Sequence, residues 1–288
     1  MPTVAFLTDR ERPAGMADDR LAVGPLARLG VSVRFVAWED AEPDPAVSLW
    51  VIRSPWNYHR DAAAFLGRVA RLVPLANPAG LVRWNADKRY LVDLAERGVP
   101  IIPTVFGPRE SLAALVEATG WEEAVVKPAV SAAGLGTIRV RGDCEESAFA
   151  PLASGEYLVQ PFLPDVLSGG EISCVFLGGR YSHSVRKRPA EGNFLVHEEH
   201  GGRTEAASAD SALIALGEAA IAACGQPTLY ARVDWILTSA GPRLVELELI
   251  EPELFLRFDT ASPARFAEAI ASWLPAPGAA SGSGGAAR

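Results

Sequence analysis

Three carboxylates late in the chain have the spacing of a charged site. Arg232-Val233-Asp234-Trp235 and Leu244-Val245-Glu246-Leu247-Glu248 alternate charged residues with β-branched, aromatic or leucine residues, which is the pattern of two strands. Side chains two apart on a strand share a face, so Glu246 and Glu248 point the same way. Pairing across Ser239-Ala240-Gly241-Pro242 brings Asp234 beside them. Carboxylates crowded on one face repel each other and are costly to desolvate. A hard cation such as Mg2+ relieves both costs, and Mg2+ often accompanies nucleotide phosphates. A solvated outer face of an antiparallel sheet would show the same alternation.

Cationic and small residues upstream complete the set. Asn85 can cap a helix over Ala86 to Arg97 that Gly98 and Pro100 close, which places Lys88 in its first turn. Lys127 ends the strand Ala124 to Pro128. The loop Ser131 to Thr137, with Gly134 and Gly136, lets backbone N–H groups approach an anion closely. It is not a P-loop, because no Gly-Lys-Ser/Thr follows, and a plain hairpin turn looks similar. Arg186-Lys187-Arg188 is a basic cluster in an acidic protein. It fits opposing phosphates or a solvated edge strand. His197 and His200 lack a nearby third ligand of suitable type, which disfavours zinc.

The elements that position these groups follow from periodicity. Thr3–Thr8 reads as a buried strand and Asp18 to Leu29 as a helix that Gly30 stops. Val31–Ala37, Val47–Ile52 and Leu75-Ala76 read as strands, with a helix over Asp61 to Leu72. Such alternation implies a parallel sheet covered by helices, with ligands at the C-terminal strand ends. The polar and aromatic run Arg53 to His59 lies at one such end. It is a candidate substrate loop, or a surface loop anchored by Trp56 and Tyr58. No GxGxxG follows the first strand, which disfavours a dinucleotide-binding Rossmann domain. Further strands are expected at Ile101–Phe106, Ile138–Arg141, Tyr157–Pro164, Glu171–Leu177 and Arg180–Val185. Helices are expected at Ser111 to Thr119, Ser208 to Cys224 and Pro263 to Leu274.

Bulk properties narrow the class. The 288 residues suggest about two domains. The net charge of −8, without a basic run, excludes nucleic acid as an expected partner. No apolar stretch approaches the roughly 20 residues of a membrane span. The first strand begins without a charged n-region, which argues against a signal peptide. Cys144, Cys174 and Cys224 are odd in number and far apart, which favours a reducing cytoplasm over a disulfide framework. The Gly/Ser/Ala-rich tail 276–288 reads as disordered.

The order Lys88, Val126-Lys127, small-residue loop, Gln160-Pro161-Phe162-Leu163, Asp234, then Glu246-x-Glu248 resembles the ATP-grasp superfamily. The resemblance covers roughly Asn85 to Leu274. Arg188-Pro189-Ala190-Glu191-Gly192-Asn193-Phe194 and His200-Gly201-Gly202 look like the glutathione synthetase and ribosomal-protein glutamate ligase branch. Arg83 to Lys88 together with Glu246 to Pro252 are similar to the cycloserine-forming cyclo-ligase type. This implies an N-terminal parallel α/β domain over 1–84, then an α+β part. That part would comprise a small ATP-grasp subdomain over 85–165 and a large one over 166–275, whose antiparallel sheets clamp ATP.

By the same resemblance Lys88 and Lys127 would hold the ATP phosphates, and Ser131 to Thr137, including Gly134 and Gly136, would fold over them. Gln160, Phe162 and Leu163 would line the adenine pocket, and Glu171 would bind ribose. Arg188 would stabilise the transferring phosphoryl group. Asp234, Glu246 and Glu248 would carry two Mg2+ ions, with Mn2+ an alternative. Arg53, Ser54, Asn57, Tyr58 and Asn193 would meet a small-molecule carboxylate. One departure stands out: the family commonly has Asn where Glu248 stands, which puts the second metal's geometry in doubt.

The implied reaction is an ATP-dependent carboxylate–amine ligation through an acylphosphate, in its sharper form closing O-ureido-serine to cycloserine. An intermolecular amino-acid or peptide ligase, and a small-molecule kinase of the same fold, are the alternatives. Oligomeric state stays open.

Overall fold

The computed structural model describes residues 1–131 and 134–275. Ala132 and Ala133 of the small-residue loop and the tail from 276 lie outside the described residues.

The first sheet is parallel, in the order β2-β1-β3-β4. Its strands are β1 (Thr3–Thr8), β2 (Ser32–Ala37), β3 (Leu49–Ser54) and β4 (Leu75–Ala76). Helices α1 (Ala17–Arg20), α2 (Val23–Arg28) and α3 (Ala62–Val69) connect them. Helices α4 (Ala79–Asn85) and α5 (Tyr90–Glu96) follow. An antiparallel sheet in the order β5-β8-β6-β7 comes next. It is built from β5 (Val105–Pro108), β6 (Glu123–Pro128), β7 (Ile138–Arg141) and β8 (Glu156–Pro161), with α6 (Leu112–Thr119) packed on it. After α7 (Asp165–Gly169), a larger antiparallel sheet runs β11-β10-β9-β12-β13. Its strands are β9 (Glu171–Leu177), β10 (Arg180–Arg188), β11 (Arg203–Ala207), β12 (Tyr230–Thr238) and β13 (Gly241–Glu248). Helices α8 (Ser211–Ala222) and α9 (Ser262–Trp273) lie in the same region. None of the described helices is long and apolar enough to cross a membrane.

Four expectations are corrected. Asp18 to Leu29 is not one helix. Pro25 has no N–H for the Leu21 carbonyl, so the chain breaks at Leu21-Ala22. Asn85 does not cap a helix but ends α4. Its buried amide donates to the Leu247 carbonyl at 2.7 Å and accepts from the Leu249 N–H at 2.8 Å. Lys88 therefore sits in the break before α5, where its N–H donates to the Ala129 carbonyl at 2.8 Å. Arg53 and Ser54 belong to β3 rather than to a loop. The basic triplet is no solvated edge. It extends β10, β11 covers that edge, and Lys187 is buried.

Packing joins the sheets unequally. Phe6 and Leu49 of the parallel sheet share a core with Val175, Tyr230 and Phe266 of the five-stranded sheet and α9. On the opposite face, Leu81, Leu91 and Leu94 of α4 and α5 pack with Phe176, Trp235 and Leu247. The four-stranded antiparallel sheet keeps its own core around Val116, Val126, Phe149 and Val159. Polar staples fix the first junction. The fully buried Asn77 donates to the carbonyls of Tyr230 at 3.0 Å and Leu249 at 2.8 Å, and accepts from the Leu229 N–H at 2.7 Å. Asn77→Ala leaves three buried backbone groups without partners. It should lower unfolding stability in urea by about 3 kcal/mol, whereas Val92→Ala on the exposed side of α5 should change it by less than about 1 kcal/mol.

Candidate active site

A cleft separates the four-stranded antiparallel sheet from the five-stranded sheet. One wall comes from β6 and β8 and the other from β12 and β13; the segment Phe194 to His197 closes one side. Its apolar part is a single cluster contributed by both sheets, with Val125 and Phe162 facing Val196, Ile236 and Val245. Arg139 stacks on the Phe162 ring at 3.6 Å.

The charged part is built by register. β12 and β13 pair so that Asp234 stands opposite Glu246 and Arg232 opposite Glu248, with an irregularity between Asp234 and Trp235. All three expected carboxylates line the cleft. Each is tied to a cation. Asp234 accepts from Lys187 Nζ at 3.0 Å and from Arg232 Nη2 at 2.9 Å. Arg232 also contacts Glu248, and Lys187 contacts Glu171. Lys88 Nζ lies 3.2 Å from Glu246 and donates to the Ser131 carbonyl at 3.0 Å.

Burial and charge move the ionisations in opposite directions. Burial pushes Asp234 up, but Arg232 and Lys187 outweigh it and hold the carboxyl well below the usual carboxylate range. Glu246 is likewise held low, because Lys88 and Lys127 overcome its burial. Glu248 goes the other way. Burial, reinforced by Glu246 and Asp234, pushes it up to about 7 despite Arg232. Burial lowers the Lys127 ammonium, with Glu246 opposing and Lys88 adding to the fall. Glu251 is pushed up to about 8 by burial and by Glu248 and Glu246.

Lys88, Lys127, Ser131, Gly134, Gln160, Phe162, Leu163, Glu171 and Tyr58 join the carboxylates around the cleft. Gln160 is held by a bond from its Nε2 to Thr104 Oγ1 at 2.9 Å. The other candidates lie elsewhere. Gly136 packs beside Pro128, where an added Cβ would meet the ring at 2.9 Å. Arg53 is buried, pairing with Asp19 at 2.9 Å and donating to the Pro252 carbonyl at 2.8 Å. Ser54 bonds Thr8. Asn57 joins Trp38 to Glu39. Arg188 donates to Glu205 at 3.1 Å and to the Ser168 carbonyl at 2.8 Å. Asn193 caps the N–H groups of Phe194 and Leu195.

Sequence reading missed Lys187, Arg232 and Glu251, and considered His197 only as a metal ligand. A signal for Lys187 existed. Strand alternation puts it on the face opposite Arg186 and Arg188, and antiparallel pairing sets it against Glu171.

The donor set suits a hard cation, since it consists of carboxylate oxygens. Among the described residues, no three His, Cys, Asp or Glu groups converge to form a closed cage. That fits Mg2+, which is commonly held by one or two carboxylates while phosphates and water complete its shell.

Comparison with known proteins identifies the family. The description "D-cycloserine synthetase DcsG, N-terminal domain" matches residues 4–77. The "Cycloserine biosynthesis protein DcsG" of Streptomyces lavendulae is 35% identical over 276 residues, covering 85% of this chain and 90% of the relative. This chain belongs to the DcsG family. The crystal structure of D-cycloserine synthetase DcsG superposes with a TM-score of 0.82 at 31% identity, over 94% of this chain and 99% of that one. A RimK-domain ATP-grasp protein from Sphaerobacter thermophilus matches with a TM-score of 0.69 at 21% identity, over 94% and 99% of the two chains. That likeness shows the ATP-grasp fold. DcsG-family membership makes the chain an ATP-grasp ligase.

In this DcsG-family cleft, His197 touches the glycine loop: a Cβ added at Gly134 would lie 3.3 Å from its ring. Burial, with Lys187 and Arg232 nearby, pushes the imidazole down to about 4. The folded state therefore disfavours a proton that the unfolded chain binds near pH 6.5. Stability from this group is present above pH 6.5 and is lost as pH falls toward 4. His197→Gln should make the loss of stability over that interval shallower by about 1–2 kcal/mol in urea titrations, with little change at pH 8.

Proposed function

We propose that this protein closes O-ureido-serine to cycloserine, consuming ATP and releasing ADP and phosphate. The observation that carries the reading is the cleft: cations Lys88, Lys127 and Lys187 face the row Asp234, Glu246 and Glu248 beside an apolar wall, in a chain of the DcsG family.

A carboxylate is a poor electrophile, because its charge repels nucleophiles. Taking the γ-phosphoryl group of ATP turns it into an acylphosphate with a good leaving group. The ureido nitrogen attached to oxygen in the same molecule then attacks the acyl carbon. Phosphate departs, and loss of the carbamoyl group leaves the ring. Lys88 and Lys127 offset charge on the phosphoryl oxygens. Lys187, fixed between Glu171 and Asp234, adds a buried positive charge beside them. Arg188 could take part only by leaving Glu205 and Ser168. Gln160, Phe162 and Leu163 hold the adenine, and Glu171 the ribose. Asp234, Glu246 and Glu248 hold Mg2+, which when bound neutralises phosphate charge and orients the phosphates. The loop from Ser131 and the Phe194 to His197 segment exclude water, which would hydrolyse the acylphosphate. We assign 1–84, 85–165 and 166–275 as the three units that build the site.

A second reading joins two separate substrates. A shallow depression beside Arg188, lined by Arg139, Leu167 and Pro189 to Phe194, offers space for one.

ADP release should be measured with ATP, Mg2+ and each enantiomer of O-ureido-serine, with products followed by mass spectrometry. Turnover of one enantiomer to a cyclised product is expected. Turnover only with another acid plus an added amine would move the answer to the second reading. A phosphorylated product that persists would indicate a kinase. Glu246→Ala should cut kcat by at least about 100-fold, as expected when a metal-holding group is lost. Its fold should persist by circular dichroism, and full activity would refute the metal role.

A further inference from the structure

Resting on the proposed function, one carboxylate in the cleft has no part in phosphate or metal chemistry. Glu171, Asp234, Glu246 and Glu248 each pair with a lysine or arginine. Glu251 lines the same cleft, and among the described residues no lysine, arginine or histidine lies within ion-pair distance of it. It stands three residues past Glu248, beyond the end of β13 and off the row opposite Lys88 and Lys127.

Its position is built with care. Trp56 Nε1 donates to the Glu251 carbonyl at 3.2 Å. Arg53 Nη2 donates to the next carbonyl, that of Pro252, at 2.8 Å, and Asp19 holds Arg53 in turn. The buried Tyr58 phenol lines the cleft with it and feels its charge. A rigidly presented carboxylate without a cation, in a desolvated cleft, demands a positive charge from a ligand. The substrate has one such group. Ring closure uses its carboxylate and a nitrogen on the side chain, while the α-amino group is carried through unchanged and is cationic at neutral pH.

We propose that Glu251 receives the α-ammonium group of the amino-acid substrate and determines specificity for it. Arg53, Trp56 and Tyr58, expected from sequence to meet substrate or anchor a loop, then act as its positioning residues. Three of the four sit on or beside the C-terminal end of β3, which ties the parallel sheet to substrate choice.

The test compares two acids on two proteins: O-ureido-serine of the accepted enantiomer and 3-(ureidooxy)propanoic acid, which lacks the amino group, with wild type and Glu251→Gln. ADP release is followed at saturating ATP. Loss of a charge-assisted contact should raise KM for O-ureido-serine about 10- to 100-fold in the variant, with KM for the desamino acid and for ATP within about threefold of wild type. Glu251→Asp should recover part of the preference, which a merely structural role would not predict. An unchanged preference in Glu251→Gln overturns the proposal. So does a shifted Mg2+ dependence with an unmoved substrate KM, since that outcome makes Glu251 a metal ligand. If wild type turns over neither acid, the proposed function has failed on its own reading and the role of Glu251 falls with it.

Discussion

The pairing of β12 with β13 is the constraint on which the site depends. One antiparallel register sets Asp234 against Glu246 and Arg232 against Glu248. Buried charges in such a sheet survive only if each finds a partner with good geometry. Arg232 and Lys187 supply that for Asp234, and Lys187 does so through β10, two strands away. The ionic set is therefore also a clasp across the sheet. Shifting the register by one residue would turn the acidic face into the apolar core behind it. Specifying the fold and specifying the site are the same requirement here.

The clasp is not neutral. Glu248 and Glu251 are pushed toward and above pH 7 because carboxylates outnumber the cations that reach them. The other end of the cleft has the opposite excess, with the Lys127 ammonium depressed by burial and by Lys88. A ligand with phosphates at one end and an ammonium at the other matches that gradient. Such a match orients a substrate before any chemistry occurs.

The sequence revealed the site's periodic parts. Asp234, Glu246 and Glu248 were legible because strand alternation needs only a local window. Lys88 and Lys127 were legible as lysines at element boundaries. Residues whose roles arise from distant contacts were not. Nothing near Arg53 announces that Asp19 and Pro252 will claim its guanidinium. Nothing near Asn85 shows that its amide will serve β13 instead of a helix start, because Leu247 is far along the chain. Pro25 could have shown the break in the first helical stretch, since proline inside a helix removes a bond. Arg188 and Lys187 show the difference between composition and direction: the triplet was seen, but the face each side chain takes depends on strand parity.

The apolar wall of the cleft differs from the other cores in one respect. The remaining clusters are filled by the chain's own side chains, whereas this one brings residues of two sheets around an opening. It has the form of a core with one piece withheld. A flat aromatic base entering between Phe162 and Ile236 would act as that piece, a keystone supplied from outside the polypeptide. Nucleotide binding and completion of the hydrophobic interior would then be one event, and the two sheets would be fully joined only while the coenzyme-like wedge is in place.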